Sequence, residues 1–290
     1  MRNVRKLTEG AILLAAFTVL LILTIYVPFL NSILIFVLPL PFLMFSAKST
    51  MKNIAAFFLA ALFISYIAGS FMGLGLMLLF GATGVVIGYS LQVNKSRTAI
   101  LISSTLTFMA GLVVFYVILN AFLKIDIMDK FNVAFKMSSK DRKMLDTLVP
   151  YFLVMCSIIY TYIIQWVCLP IAKKFGVKVQ PWESFRNLSL PRSLLWYYLI
   201  SIGLNLVMHP KEGTYVYTAL INLRYILEMF LFFQGLAFLV YILQQRSVAK
   251  GLVVLAAILT FMIPTFHYII MLLGITDIGF DFRKRFAKKE

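Results

Sequence analysis

The sequence predicts an all-α fold, a polytopic transmembrane helical bundle of eight or nine helices. Three observations predict it. Apolar residue types make up 62% of the 290-residue chain and charged types only 13%. Soluble domains carry about 25% charged residues, so this chain has too little polar surface to face water. The apolar residues also fall in long runs. Residues 11–30 hold no charge, and 20 residues in a helix reach about 30 Å, the thickness of a hydrocarbon core. The runs are continuous rather than alternating with period two. Helices therefore fit and a barrel does not, since only these two structures satisfy every backbone polar group in lipid.

The apolar segments are 11–30, 33–47, 54–71, 74–92, 99–123, 148–171, 194–208, 218–243 and 252–274. The first follows Arg2, Arg5 and Lys6 and could pass for a signal peptide. It is too long for that apolar core and no small-residue cleavage site follows, so it reads as a retained helix. The second is short and holds Pro39 and Pro41, which predicts a bent or half-inserted segment. The seventh, 194–208, is also short for a span.

Net charge is +16, and the basic residues sit mostly in short loops. That pattern is a topology signal and a contact with anionic headgroups, and it points to the lipid bilayer, not nucleic acid, as partner. Lysine and arginine placement puts the N-terminus in the cytoplasm. Lys48 and Lys52, then Lys95 and Arg97, then Lys173, Lys174 and Lys178 fall inside after two, four and six crossings. The connection 124–147 would lie outside, yet it carries six basic residues. Ile127, Met128, Phe131, Ala134 and Phe135 recur there at helical spacing, which reads as an interfacial amphipathic helix or as a solvated connection. Nine crossings leave Arg283, Lys284, Arg285, Lys288 and Lys289 outside; eight, with 194–208 re-entrant, bring them inside. Segment length favours nine and the charge rule favours eight. The expected organisation is a six-helix domain over 1–175, a cytoplasmic linker over 176–193, membrane helices over 194–275 and a basic tail over 276–290.

Candidate functional residues are of two kinds. Small residues four apart let another helix approach closely. Ala11 and Ala15 form such a pair in the first segment, Gly69 and Gly73 end the third, and Gly81, Gly84 and Gly88 line the fourth. The glycines serve helix packing within the chain or between chains. Ionisable residues inside apolar runs are the second kind. Arg224 and Glu228, four apart, share one helical face, as a functional pair or as a structural brace. Asn120, Gln165, Asn205, Asn222, Gln234 and His267 read as interhelical hydrogen-bonding groups. Cys156 and Cys168 lie about 18 Å apart on one helix, beyond disulfide reach. No Walker A sequence, H-E-x-x-H or G-x-S-x-G occurs, so no ATPase, zincin or hydrolase motif is present. The expectation is a protein that is not an enzyme and carries no cofactor and no metal.

The chain resembles the YybS family of Gram-positive bacterial membrane proteins. The resemblance is carried by Thr8-Glu9-Gly10-Ala11-Ile12-Leu13-Leu14-Ala15, by Pro39-Leu40-Pro41 and by Gly279-Phe280-Asp281-Phe282-Arg283-Lys284-Arg285. In its first six helices that family is similar to the substrate-binding S components of energy-coupling factor (ECF) transporters. The resemblance implies a multi-pass protein of the bacterial cytoplasmic membrane that binds a small molecule and couples to an ECF-type transmembrane subunit or another membrane protein. It also implies that Ala11 and Ala15 contact a partner helix. The three C-terminal segments have no counterpart in a standard S component. A membrane scaffold or regulator in envelope assembly or sporulation is the alternative, and an intramembrane enzyme ranks third.

Overall fold

In the computed structural model the described residues are 2–125, 138–181, 185–245, 251, 264–280 and 283. Their regular structure is helical, and no strand occurs among them. The amphipathic stretch 127–135, Trp182, residues 252–263 of segment 252–274 and the tail beyond Arg283 lie outside the described residues. The chain divides into two compact units. Unit 1 comprises 1–142 and 152–181, and unit 2 comprises 143–151 and 182–290.

Unit 1 begins with α1 (Arg2–Tyr26) and α2 (Pro28–Leu34). The second apolar segment is broken, as its prolines require. A run of turns leads into the short α3 (Leu40–Ser46), with Pro39 at its N-cap and Pro41 in its first turn. There the missing N–H groups have no helical partner to lose.

α4 (Met51–Leu76), a π-helical turn (Met77–Gly81) and α5 (Ala82–Gln92) run on without a gap, yet they are not one rod. Gly69 and Ser70 leave helical geometry, and Ser70 adopts φ 50°. In a straight helix, residues 65 and 73 would stand about 12 Å apart. Here a methyl group on Gly73 would collide with the Ser65 carbonyl oxygen. Phe57 and Gly81, about equally far from the turn along the chain, both touch Phe42. The run Met51–Gln92 therefore folds back at Gly69–Ser70, and segments 54–71 and 74–92 are the two arms of a hairpin.

α6 (Arg97–Leu123) starts at Ser96, whose hydroxyl accepts from the Ala99 N–H at 3.3 Å. α7 (Ser139–Lys174) starts at Ser138, which accepts from the Asp141 N–H and donates to its carboxylate. Asp141 in the first turn and Lys173 and Lys174 in the last complement the helix dipole.

The core of unit 1 is aromatic. Phe42 is fully buried and meets Phe17 edge-on at 4.8 Å and Phe57 at 5.4 Å. Phe80, Phe108 and Tyr160 continue the stack. Small groups let α3 reach this core. Gly81 lies against the Phe42 ring, a methyl on Gly84 would strike the Pro39 carbonyl oxygen, and one on Gly88 would strike Ser46 and the Leu43 carbonyl.

Unit 2 contains α8 (Ser193–Met208), α9 (Tyr215–Gln245) and α10 (Pro264–Phe280). α9 and α10 pack through Leu231, Phe232, Leu236, Ile270 and Met271. They cross where Gly235 faces Gly274, and a methyl on either glycine would enter the other helix's backbone. Residues 276–280, read from sequence as the start of a basic tail, instead complete α10, with Asp277 and Ile278 buried. The reason is periodic: Ile270, Gly274 and Asp277 share one face, and that face meets α9.

Candidate functional site

Two polar clusters of unit 2 are built around its buried carboxylates, Glu228 and Asp277. In the first, Arg224 and Glu228 sit one turn apart on α9. The Arg224 Nε donates to Glu228 Oε1 at 2.8 Å, and the Tyr198 hydroxyl of α8 donates to the same oxygen at 3.1 Å. The Glu228 side chain is 11% exposed and that of Arg224 48%. The carboxylate is thus held inside while the guanidinium reaches outward. A buried carboxylate with a cationic and a hydroxyl donor is stable without a ligand. Glu228→Gln keeps an acceptor for Tyr198 and Arg224 and removes only the charge. It should lower stability by about 1 kcal/mol, read by thermal unfolding in detergent. Wholesale loss of folded protein would instead make the charge itself the brace.

The second cluster was missed in the sequence because Asp277 lies beside a basic chain end. Its carboxylate accepts from Gln234 Nε2 at 2.6 Å and from Arg283 Nε at 2.9 Å. Gln234 in turn accepts from the Leu190 N–H at 3.0 Å, and Arg283 Nη1 donates to the Arg186 carbonyl at 2.6 Å. The Arg283 guanidinium also lies 5.8 Å from the ring centres of Phe238 and Tyr241. This cluster ties α9, α10 and the segment before α8 into one unit. The legible signal was an acid spaced seven residues from Ile270 on an apolar helix face.

Asn222 does a third job. Its amide accepts from the Tyr151 N–H at 2.9 Å and donates to the Thr147 carbonyl at 2.7 Å. Those two groups pair with each other in an unbroken helix, and Pro150 lies between them. His267 stacks on Phe232 at 4.3 Å. In unit 1, Gln165 donates to Ser104 at 3.0 Å, and Thr105 and Thr161 share a hydrogen bond of the same length.

The small-residue candidates separate by where they face. Gly69 and Gly73 lie at the hairpin turn against Ile25 and Ser65, and Gly81, Gly84 and Gly88 receive α3. Ala11 and Ala15 are exposed. They lie on an outward stripe of α1 with Leu7 (77% exposed) and Val19 (57% exposed).

Exposed apolar residues recur around unit 1, among them Phe63 and Ile67 on α4 and Ile102 and Leu106 on α6. Five stretches (Leu7–Tyr26, Met51–Gln92, Arg97–Leu123, Asp141–Lys174 and Tyr215–Gln245) are long and apolar enough to cross a membrane. Ser193–Met208 and Thr265–Phe280 are shorter apolar helices. An apolar exterior on helices of this length defines a multi-pass helical membrane protein. The chain belongs to the family described as predicted membrane protein (DUF2232), which matches residues 15–142 and 132–278. It is 29% identical over 309 aligned positions to the uncharacterized protein YybS of Bacillus subtilis (strain 168), covering 98% of this chain and 99% of that one. No solved structure matches it.

Proposed function

We propose that this protein is a small-molecule-binding subunit of the bacterial cytoplasmic membrane that works coupled to a separate membrane partner. In this reading its N-terminus is cytoplasmic, residues 1–175 act as an S-component-like binding domain, and the chain itself catalyses nothing. The observation that carries the reading is the direction of the small-residue motifs. The glycine pairs are occupied by this chain's own helices, whereas Ala11 and Ala15 face outward on α1. Alanines four apart between larger residues leave a shallow track in which a second helix can lie. An ECF-type transmembrane subunit, expected from the resemblance, would present such a helix.

The alternative is a scaffold or regulator in envelope assembly or sporulation, with no transported substrate. The observation favouring it is the filled aromatic core of unit 1, where Phe17, Phe42, Phe80 and Phe108 are all buried. Both readings use the α1 face, and they differ in whether a ligand is held.

Leucine at both positions tests the face. Ala11→Leu with Ala15→Leu should leave the protein inserted and folded, since neither side chain is buried here. It should abolish co-purification of the membrane partner, because the added bulk fills the track. Undiminished co-purification would remove α1 as the docking surface.

A further inference from the structure

A groove of about 390 Å³ opens at one end of unit 1, lined by Leu91, Asn94, Lys173, Val177, Lys178, Val179 and Gln180. Its walls are two helix ends that stop in the same way. At the end of α7, Gly176 takes φ 80°, its N–H reaches the Lys173 carbonyl, and the Val177 N–H reaches that of Ala172. At the end of α5, Asn94 takes φ 53°, with the Asn94 and Lys95 N–H groups reaching Leu91 and Ser90. Both are Schellman caps, which use up carbonyls that would otherwise face the groove. The Gln180 side chain closes the far wall by donating to the Asn94 carbonyl at 3.3 Å. Lys48 Nζ donates to the Phe175 carbonyl at 2.7 Å and steadies the turn from outside.

The lining is amphipathic. Leu91 and Val177 are buried and form an apolar floor, while Lys173 and Lys178 are exposed at the rim. Neither lysine has an ion pair among the described residues. Lys174 follows Lys173 in sequence, and Lys95 follows the lining residue Asn94. The two helix C-termini bring roughly half a negative charge each, and less once capped. The two whole positive charges of Lys173 and Lys178 at the rim outweigh them. The groove also lies where the apolar span Asp141–Lys174 ends, which is headgroup depth for a membrane helix.

We propose that this groove is a binding site for an anionic phospholipid. The phosphate sits between Lys173 and Lys178, the glycerol meets Asn94 and Gln180, and the first chain carbons lie on Leu91, Val177 and Val179. A basic pocket between helices at the membrane surface is the arrangement that selects such headgroups over neutral ones. The site is independent of the α1 face and of any transported molecule.

The test is native mass spectrometry of the full-length protein, delipidated in detergent and titrated with phosphatidylglycerol or phosphatidylcholine. The expected result is preferential retention of phosphatidylglycerol. Lys173→Gln with Lys178→Gln should weaken it about thirtyfold, since each lysine near a charged membrane surface contributes roughly fivefold. Lys178→Gln alone leaves the end of α7 untouched and should lose roughly fivefold. Lys143→Gln with Lys211→Gln removes the same charge elsewhere and should leave binding unchanged. An equal loss in both double variants, or none in the groove variant, overturns the site. Displacement of the lipid by millimolar inorganic phosphate would make it a soluble-anion site and also overturns the proposal, as would an acidic protein partner taking the groove in place of lipid.

Discussion

Gly274→Leu should be the most damaging single substitution in unit 2. A side chain at this position enters the Leu231 carbonyl and the Gly235 backbone of α9, not the end of a flexible neighbour. Overpacking a core costs about 1–3 kcal/mol where side chains can shift. Here two backbones must separate, and the contacts of Leu231, Phe232 and Ile270 go with them, so a loss of at least about 3 kcal/mol is expected. Gly203→Ala is the matched control. Nothing lies within 4 Å of a methyl group there, so alanine in the helix should be neutral or stabilising. Thermal unfolding of the purified protein in detergent reads both. A Gly274→Leu protein as stable as Gly203→Ala would mean that α9 and α10 do not cross at these glycines.

Asp277→Ala should follow closely. The Asp277 side chain is 3% exposed and that of Arg283 18%. Removing the carboxylate leaves a largely buried guanidinium and a buried Gln234 amide without their acceptor. Breaking a buried pair from one side costs about 3–5 kcal/mol. Asp277→Asn keeps an oxygen in the place of Oδ2, which accepts from both donors, and removes the charge, so it should lose about half as much. The same cut at Glu228 is milder because Arg224 is half-exposed and can turn to water. The measurement is the unfolding midpoint of each variant, with the order Asp277→Ala below Asp277→Asn below wild type. An unchanged midpoint for Asp277→Ala would show that this cluster carries no stability.

These two sites show where sequence reasoning stops. Composition and run length were enough for the helical membrane fold, because the bilayer tolerates so few alternatives. The four-residue spacing found Gly84 and Gly88, but spacing names a face and not its occupant. That α3 fills it follows from a contact some forty residues back, seen only in three dimensions. Gly235 and Gly274 escaped the same search because each helix supplies one glycine to the crossing, and a paired motif needs two. The segments 54–71 and 74–92, and the reversal that returns Lys95 to the side of Lys52, were legible; that the turn falls at Gly69–Ser70 was not, because no proline or charge marks it. Arg224 and Glu228 stood out as charges within a run. Asp277 did not, because the basic residues after it gave that end the look of a tail. Its place on one face with Ile270 and Gly274 was the signal available.

If this protein holds a small molecule and a membrane partner together, as proposed, both should survive gentle purification. The protein is purified from native membranes in mild detergent, and mass spectrometry identifies both the proteins and the small molecules that remain bound. A co-purifying membrane subunit and a retained metabolite are expected, with the subunit lost from the Ala11→Leu, Ala15→Leu variant. Envelope or cell-cycle proteins alone, with no retained metabolite, would contradict it and leave the scaffold reading in its place.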